Sequence, residues 1–174
     1  MQSGSNRTLA RMKRKYNAEM AMRGIALLRE ALPNVQFTTD MILGFPGEGE
    51  TEFLETLAFI EEARFLMIHA FPYSKRKGTP AAEMPDQVPE AVRHERVRIL
   101  SAKQKSISNT ILDKALTDRP EVAVLFEDYK DGYAYGHTDN FIEVRVAAPR
   151  AMHSVLARVR VSDRYENGLT GTLV

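Results

Sequence analysis

Apolar positions follow two regimes along the chain. Up to about residue 118 they recur at helical spacing, interrupted by two short apolar runs. Beyond Pro120 they alternate with polar residues in short stretches broken by turn residues. In the first regime Leu9, Met12 and Tyr16 share one face of a short basic helix. Asn17 is placed to cap the next helix, with Glu19 in its first turn. Ala21, Ile25, Leu28 and Leu32 continue it until Pro33. Residues 35–43 predict a buried strand, and Gly44-Phe45-Pro46-Gly47-Glu48-Gly49 a loop. Phe53, Leu57 and Ile60 mark another amphipathic helix, and residues 65–71 a second strand. Strand, helix, strand predicts a parallel pair joined by a right-handed crossover. A proline-containing loop over 72–88 leads to Pro89, suited to a helix first turn. That helix carries Val92, Ile99, Leu100, Ile107, Ile111 and Leu112 on its apolar side to about Leu116.

In the second regime, strands are predicted over 121–126, 133–137, 142–146, 155–161 and 169–174. Asp131-Gly132 and Asn167-Gly168 are hairpin turn signals. Five short strands in so little chain predict a small closed barrel, because closure removes exposed edges. The expected organisation is an α/β segment over 1–88, a connecting helix over 89–118 and a β-barrel over 119–174. The first part is an incomplete domain on physical grounds. A parallel sheet normally has several strands and both faces covered, and Gln2-Ser3-Gly4-Ser5 reads as a loop with no strand before it.

Composition narrows the chemistry. Hydrophobic residues make up 44% and charged residues 27%, as in soluble globular proteins. No apolar run approaches the roughly 18 residues of a membrane span, and Met1 to Asn6 lack the apolar stretch of a signal peptide. A cytoplasmic location is expected. The chain has no cysteine, which excludes disulfides, thiolate metal sites and cysteine-ligated iron–sulfur clusters within it. His69, His94, His137 and His153 show no metal-ligand spacing. The net charge of +1 is unevenly spread. Arg7, Arg11, Lys13, Arg14, Lys15 and Arg23 stand near the start against Glu19 alone, Lys75-Arg76-Lys77 form a second basic run, and residues 121–174 are net acidic.

In parallel α/β architectures ligands bind beyond the C-terminal ends of the strands. Gln2 to Ser5, Gly44 to Glu48 and Pro72 to Thr79 should converge there. The glycine-containing loop follows a strand and opens a helix, so it is either an ordinary tight turn or a place where a ligand meets backbone. It lacks the P-loop and Gly-x-Gly-x-x-Gly patterns. Asp40 shares a strand face with Thr38 and Ile42. It is either a polar group facing a cofactor cavity or a buried carboxylate with structural hydrogen bonds. Arg14, Tyr16, Tyr73, Ser74 and Arg76 suit a cofactor carboxylate or RNA. His69 reads as a core histidine, and Glu61-Glu62 as solvent-facing.

Four ordered motifs carry a family resemblance. Gln2-Ser-Gly-Ser-Asn6 with Leu9-Ala-Arg-Met-Lys-Arg-Lys-Tyr16, then Thr39-Asp-Met-Ile-Leu-Gly-Phe-Pro-Gly-Glu48, then Phe71-Pro-Tyr-Ser-Lys-Arg-Lys-Gly-Thr-Pro-Ala-Ala82 resemble segments of the radical S-adenosylmethionine (SAM) methylthiotransferases. Tyr133-Ala-Tyr-Gly-His-Thr-Asp-Asn140 resembles their TRAM domain, an RNA-binding barrel. The implied fold is α/β: the C-terminal fragment of a radical SAM partial TIM barrel, then a five-stranded antiparallel TRAM barrel. The implied activity is addition of a methylthio group to adenosine beside the tRNA anticodon. The third motif with Met84-Pro-Asp-Gln-Val-Pro89 is most similar to the branch acting at C2 of N6-threonylcarbamoyladenosine.

The resemblance implies S-adenosylmethionine and two 4Fe-4S clusters in the parent enzyme, and the tRNA anticodon stem-loop as partner. Ile42 would contact the cofactor adenine, with Gly44 and Gly47 shaping the pocket. Asp40 stands where the family pattern has glycine, and Glu48 closes the motif. Gln2, Ser3 and Tyr73 complete the implied cofactor wall. Arg14, Lys75, Arg76, Tyr135, His137 and Asn140 would face RNA. The family's Cys-x-x-x-Cys-x-x-Cys loop and its N-terminal cluster domain have no counterpart here. The chain alone is therefore expected to be inactive, a fragment lacking the cluster-bearing domains. Two alternatives are a stand-alone, non-catalytic RNA-binding protein using the barrel and basic helices, and an unrelated small α/β enzyme built on Gly44 to Glu48.

Overall fold

The computed structural model describes residues 1–174. It divides into two compact units, Met1–Ile107 and Ser108–Val174. The division falls inside the long helix that the sequence set apart as a connector over 89–118.

In the first unit α1 (Asn6–Arg11) and α2 (Ala18–Ala31) precede β1 (Thr38–Leu43), α3 (Glu50–Ala63) and β2 (Met67–Pro72). A short α4 (Pro80–Glu83) leads to α5 (Glu90–Asp118), which runs into the second unit. Helix α1 stops earlier than the spacing of Leu9, Met12 and Tyr16 predicts. Lys13 adopts φ +55, its N–H and that of Arg14 bond back to the Ala10 and Leu9 carbonyls, and Tyr16 lies outside the helix. This is a left-handed helix end with lysine where glycine is usual, so no residue type announced it. Asn17 caps α2 as expected, accepting from the Met20 N–H at 2.8 Å. Leu28 and Leu32 are 47% and 55% exposed, and only Ile25 of the predicted row is buried.

Strands β1 and β2 are parallel, with Thr38 opposite Met67, Asp40 opposite His69 and Ile42 opposite Phe71. Alternation splits the sheet into two faces. Met41 and Leu43 join Ile25, Phe53, Phe59, Ile60, Ala63, Phe65 and Leu100 in one apolar core. On the other face Thr38, Asp40, Met67, His69 and Phe71 are exposed and Ile42 is half-buried. This face corrects the expectation that His69 is a core histidine, and of the two readings of Asp40 it excludes the buried carboxylate; both residues are exposed.

The second unit holds β3 (Glu121–Lys130), β4 (Tyr133–Thr138), β5 (Glu143–Ala147), β6 (Val155–Tyr165) and β7 (Gly168–Leu173). They close in the order β3-β4-β5-β7-β6. The expected barrel is present, but it is mixed and not wholly antiparallel, since β5 and β7 pair in parallel. Five strands cannot alternate direction around a closed ring, so one parallel pair is unavoidable. Inward residues Val122, Val124, Phe126, Ala134, Val144, Val146, Val159 and Leu169 fill the core. Strands β3 and β6 extend beyond their predicted ends through bulges at Phe126/Asp128 and Val161/Asp163. Asp131 and Gly132, at φ +52 and +82, turn the first hairpin as predicted. The second turn is shifted by one residue: Tyr165 pairs with Gly168, so Glu166 and Asn167 form the loop and Gly168 begins β7.

Candidate functional site

The loop after β1 is built from glycine geometry and three arginines. Gly44 and Gly47 adopt φ +71 and +79, a conformation that disfavours any side chain. A Cβ on Gly44 would lie 2.3 Å from Cγ of Arg93, and one on Gly47 would lie 2.4 Å from the Arg11 guanidinium carbon. Both glycines thus let an arginine cross the backbone closely. Arg11 donates to the Pro46 carbonyl at 2.8 Å, and Arg93 donates to the Tyr73 carbonyl. Arg96 donates from one nitrogen to both the carbonyl and Oε1 of Glu48, each at 2.9 Å.

Glu48 closes the loop on itself, because its Oε1 also accepts the Gly44 N–H at 2.8 Å. The Glu48 and Arg96 side chains are 1% and 8% exposed. Burial pushes the Glu48 carboxyl above its ordinary range, against the opposing pull of the Gly44 N–H and the Arg96 charge. Glu48 therefore acts inside the loop, not on the open sheet face. Helix α3 starts just beyond, where Glu52 accepts the Gly49 N–H at 2.8 Å and Arg7 at 2.8 Å.

The other residues of the implied cofactor wall take distinct positions. The Gln2 carbonyl accepts the Ile42 N–H at 3.0 Å, so Gln2 lies alongside β1. Its side chain accepts from Arg14. Ser3 is buried; its Oγ lies 3.2 Å from Thr56 Oγ1 and accepts the Ser5 N–H, so it supports the segment against α3. Tyr73 is buried, continues the ladder by donating its N–H to Leu43, and sets its ring edge-on to Phe45 at 5.3 Å. Its hydroxyl is buried without a partner. Of the implied cofactor wall, only Asp40 and Ile42 project onto the open sheet face. Lys75 and Arg76 are exposed in the loop after β2.

In the barrel, alternation along β4 turns Tyr133, Tyr135 and His137 outward. They border an open concavity of about 620 Å³ with Glu143, Arg145 and Tyr165. The Arg145 guanidinium lies over the Tyr133 and Tyr165 rings, 4.6 and 4.1 Å from their centroids. Tyr165 donates to Glu143, and burial with that carboxylate pushes its hydroxyl well above the ordinary value. His137 Nδ1 lies 2.5 Å from Glu127 Oε2. Glu127, Asp128, Asp131, Glu143 and Glu166 outnumber Lys130 and Arg145 around this hollow, which does not favour a phosphate chain running through it. Of the residues implied in RNA contact, Tyr135 and His137 come together here. Asn140 sits in the next turn, accepting from Thr138 Oγ1 at 2.6 Å. Arg14, Lys75 and Arg76 belong to the other unit.

Sequence reasoning missed Arg11, Arg93 and Arg96 around the loop, and Tyr133, Arg145 and Tyr165 around the hollow. Tyr133 could have been found from its period of two with Tyr135 and His137. The others depend on long-range placement.

The radical SAM superfamily model matches residues 1–60. The chain is 42% identical over 165 residues to threonylcarbamoyladenosine tRNA methylthiotransferase of Bacillus subtilis (strain 168), covering 92% of this chain and 36% of that protein. It is 38% identical over 173 residues to tRNA-2-methylthio-N(6)-dimethylallyladenosine synthase of Pelobacter propionicus, covering 99% of this chain and 39% of that protein. The synthase of the same name from Thermobifida fusca is 48% identical over 124 residues, covering 71% of this chain and 25% of that protein. The chain thus spans little over a third of the length of the first two of these relatives. With two-branch similarity along nearly its whole length, the chain belongs to the radical S-adenosylmethionine tRNA methylthiotransferase family.

Proposed function

We propose that this chain is the part of a tRNA methylthiotransferase that supplies one wall of the cofactor site and the RNA-binding barrel. The parent would add a methylthio group at C2 of N6-threonylcarbamoyladenosine beside the anticodon of a cytoplasmic tRNA. The observation that carries the reading is similarity to methylthiotransferases across 92–99% of the chain. The choice of branch rests on Phe71 to Pro89, since relatives of both branches match.

The first unit suits part of a binding wall. Its sheet leaves Asp40 and Ile42 on an open face beside the glycine turn at Gly44, and the unpartnered Tyr73 hydroxyl lies beside the same strand ends. In this reading Ile42 packs on the adenine of S-adenosylmethionine, the Gly44 to Gly47 backbone borders it, and Gln2 and Asp40 offer polar groups. Bound S-adenosylmethionine with the parent's two 4Fe-4S clusters supplies the radical chemistry. This chain contains no cysteine, so the clusters' thiolate ligands must come from other residues of the parent, and this chain alone is inactive. In the barrel, Tyr135 and His137 stack or bond with bases, while Arg14, Lys75 and Arg76 meet phosphates.

Two measurements test the division of labour. After anaerobic reconstitution with iron and sulfide the purified chain should hold no cluster; a stoichiometric four-iron spectrum would overturn the assignment of ligands elsewhere. The chain should bind an anticodon stem-loop weakly and lose it as salt rises, because phosphate contacts release counterions. Tight, salt-resistant binding would contradict the charge distribution described above.

A further inference from the structure

We infer that Phe141 is a nucleobase-stacking platform, and that the outer wall formed by β4, β3 and β6 beside it takes a single-stranded RNA segment. This rests on the reading of the barrel as RNA-binding and adds a surface to it, which adjoins the acidic hollow at His137, held there by Glu127 at 2.5 Å.

Phe141 is 76% exposed, the most exposed large hydrophobic side chain of the protein. It also sits at φ +64, a left-handed conformation that is a true outlier for a bulky residue. The turn does not need a ring there. Its hydrogen bonds run from Phe141 N–H to the Thr138 carbonyl, from Thr138 N–H to the Ile142 carbonyl and from Ile142 N–H to Thr138 Oγ1. Asp139 is anchored by Arg119 through two bonds of 2.9 and 3.2 Å. Glycine at residue 141 would keep the backbone bonds and remove the strain. A preorganised turn that holds an aromatic ring in solvent at a conformational cost points to use of that ring.

The ring's neighbours specify the occupant. The His137 imidazole lies 5.7 Å from it, centroid to centroid. Across the strands His137 is opposite Leu125, and Leu125 is opposite Leu156; these leucines are 44% and 70% exposed. Two residues along, on the same face, Arg158 is opposite Ala123, exposed and outside every salt bridge of the barrel. Flat π-faces, an apolar floor and one uncommitted guanidinium match unstacked bases with a flanking phosphate. The carboxylates of the hollow beside Tyr135 steer the phosphate chain toward the Arg158 side.

The chain contains no tryptophan, so Phe141→Trp in the 174-residue chain introduces a single tryptophan at the platform, excited selectively over the tyrosines. Addition of a single-stranded anticodon-loop RNA should quench it. In a separate anisotropy assay with labelled RNA, Phe141→Ala should weaken binding about tenfold, the scale of one lost base stack. Phe141→Gly should weaken binding equally without lowering the melting midpoint, which separates a role in binding from one in folding. Labelled RNA that binds with wild-type affinity to all three variants, with no quenching, would overturn the platform and leave the RNA reading intact. Failure of the wild-type chain to bind RNA at low salt would overturn both. A fluorescence shift that follows protein concentration without RNA would instead assign the surface to a second copy of the chain.

Discussion

Arg96, on helix α5, holds Glu48 by main chain and side chain at once, with both contacts at 2.9 Å and both side chains out of solvent. One guanidinium thereby ties the loop that follows β1 to a helix more than forty residues away in sequence. Removing only the cation leaves a buried carboxylate without its charge partner. Arg96→Ala should therefore destabilise the chain by about 3–5 kcal/mol. Arg96→Met combined with Glu48→Gln should recover most of that loss, because neither buried charge remains. Urea unfolding of Arg96→Ala, of the double variant and of its two single components measures both; additive losses in the double variant would show that the two side chains are not coupled.

Glu48 also makes a signed pH prediction. Its carboxyl is raised above the usual value in the folded chain, with burial as the leading cause. The folded state therefore holds its proton more tightly than the unfolded state. Glu48 favours folding most fully below its unfolded value, and that contribution is lost as pH rises through the folded value. Relative to Glu48→Gln, the wild-type chain should gain stability on mild acidification from neutral pH. A flat difference between the two across that range would mean that Glu48 titrates normally.

Tyr165 gives the alkaline counterpart in the barrel. Burial and Glu143 raise its hydroxyl above the ordinary value of 10.0. As pH rises above that ordinary value, the unfolded chain ionises more readily and stability falls. Tyr165→Phe should flatten this alkaline limb, at a cost near neutrality of about 0.5–1.5 kcal/mol for the lost hydrogen bond to Glu143. Thermal melts at neutral and alkaline pH compare the two.

Gly44 and Arg93 are coupled by space. Gly44→Ala must accept φ +71 and move Arg93, whose Cγ would lie 2.3 Å from the new Cβ. A loss of at least about 1–2 kcal/mol is expected from the backbone alone. In an Arg93→Ala background the same substitution should cost less, since the steric part is gone. Equal costs in both backgrounds would mean that the arginine yields freely.

Much of this was legible in the residues, and the failures have physical causes. The parallel pair, the cap at Asn17, the Asp131-Gly132 turn and the five barrel strands follow from local periodicity and turn chemistry, which act over a few residues. The parallel β5–β7 pair was implied by strand count, whereas the antiparallel expectation came with the family resemblance. His69 was read as a core residue, and Asp40 stayed open between cavity and core, because strand periodicity separates two faces without saying which is covered. Among the motif residues, Gly44 and Gly47 take the positive φ of a tight turn, with Arg93 and Arg11 against their backbone. Ser3 and Glu48 turn inward for reasons set by Thr56 and Arg96, far away in sequence. Phe141 carried no signal in the sequence, since only the backbone reveals its strained turn and exposed ring.

The central claim, that the chain is part of a tRNA methylthiotransferase acting on threonylcarbamoyladenosine, is tested most directly by mass spectrometry of tRNA nucleosides from cells lacking the gene that carries it. The account expects loss of the 2-methylthio derivative of N6-threonylcarbamoyladenosine, accumulation of its unthiolated precursor, and restoration by the intact gene. Loss of the dimethylallyladenosine derivative in its place would move the protein to the other branch. An unchanged nucleoside profile would contradict the claim and leave a non-catalytic RNA-binding protein.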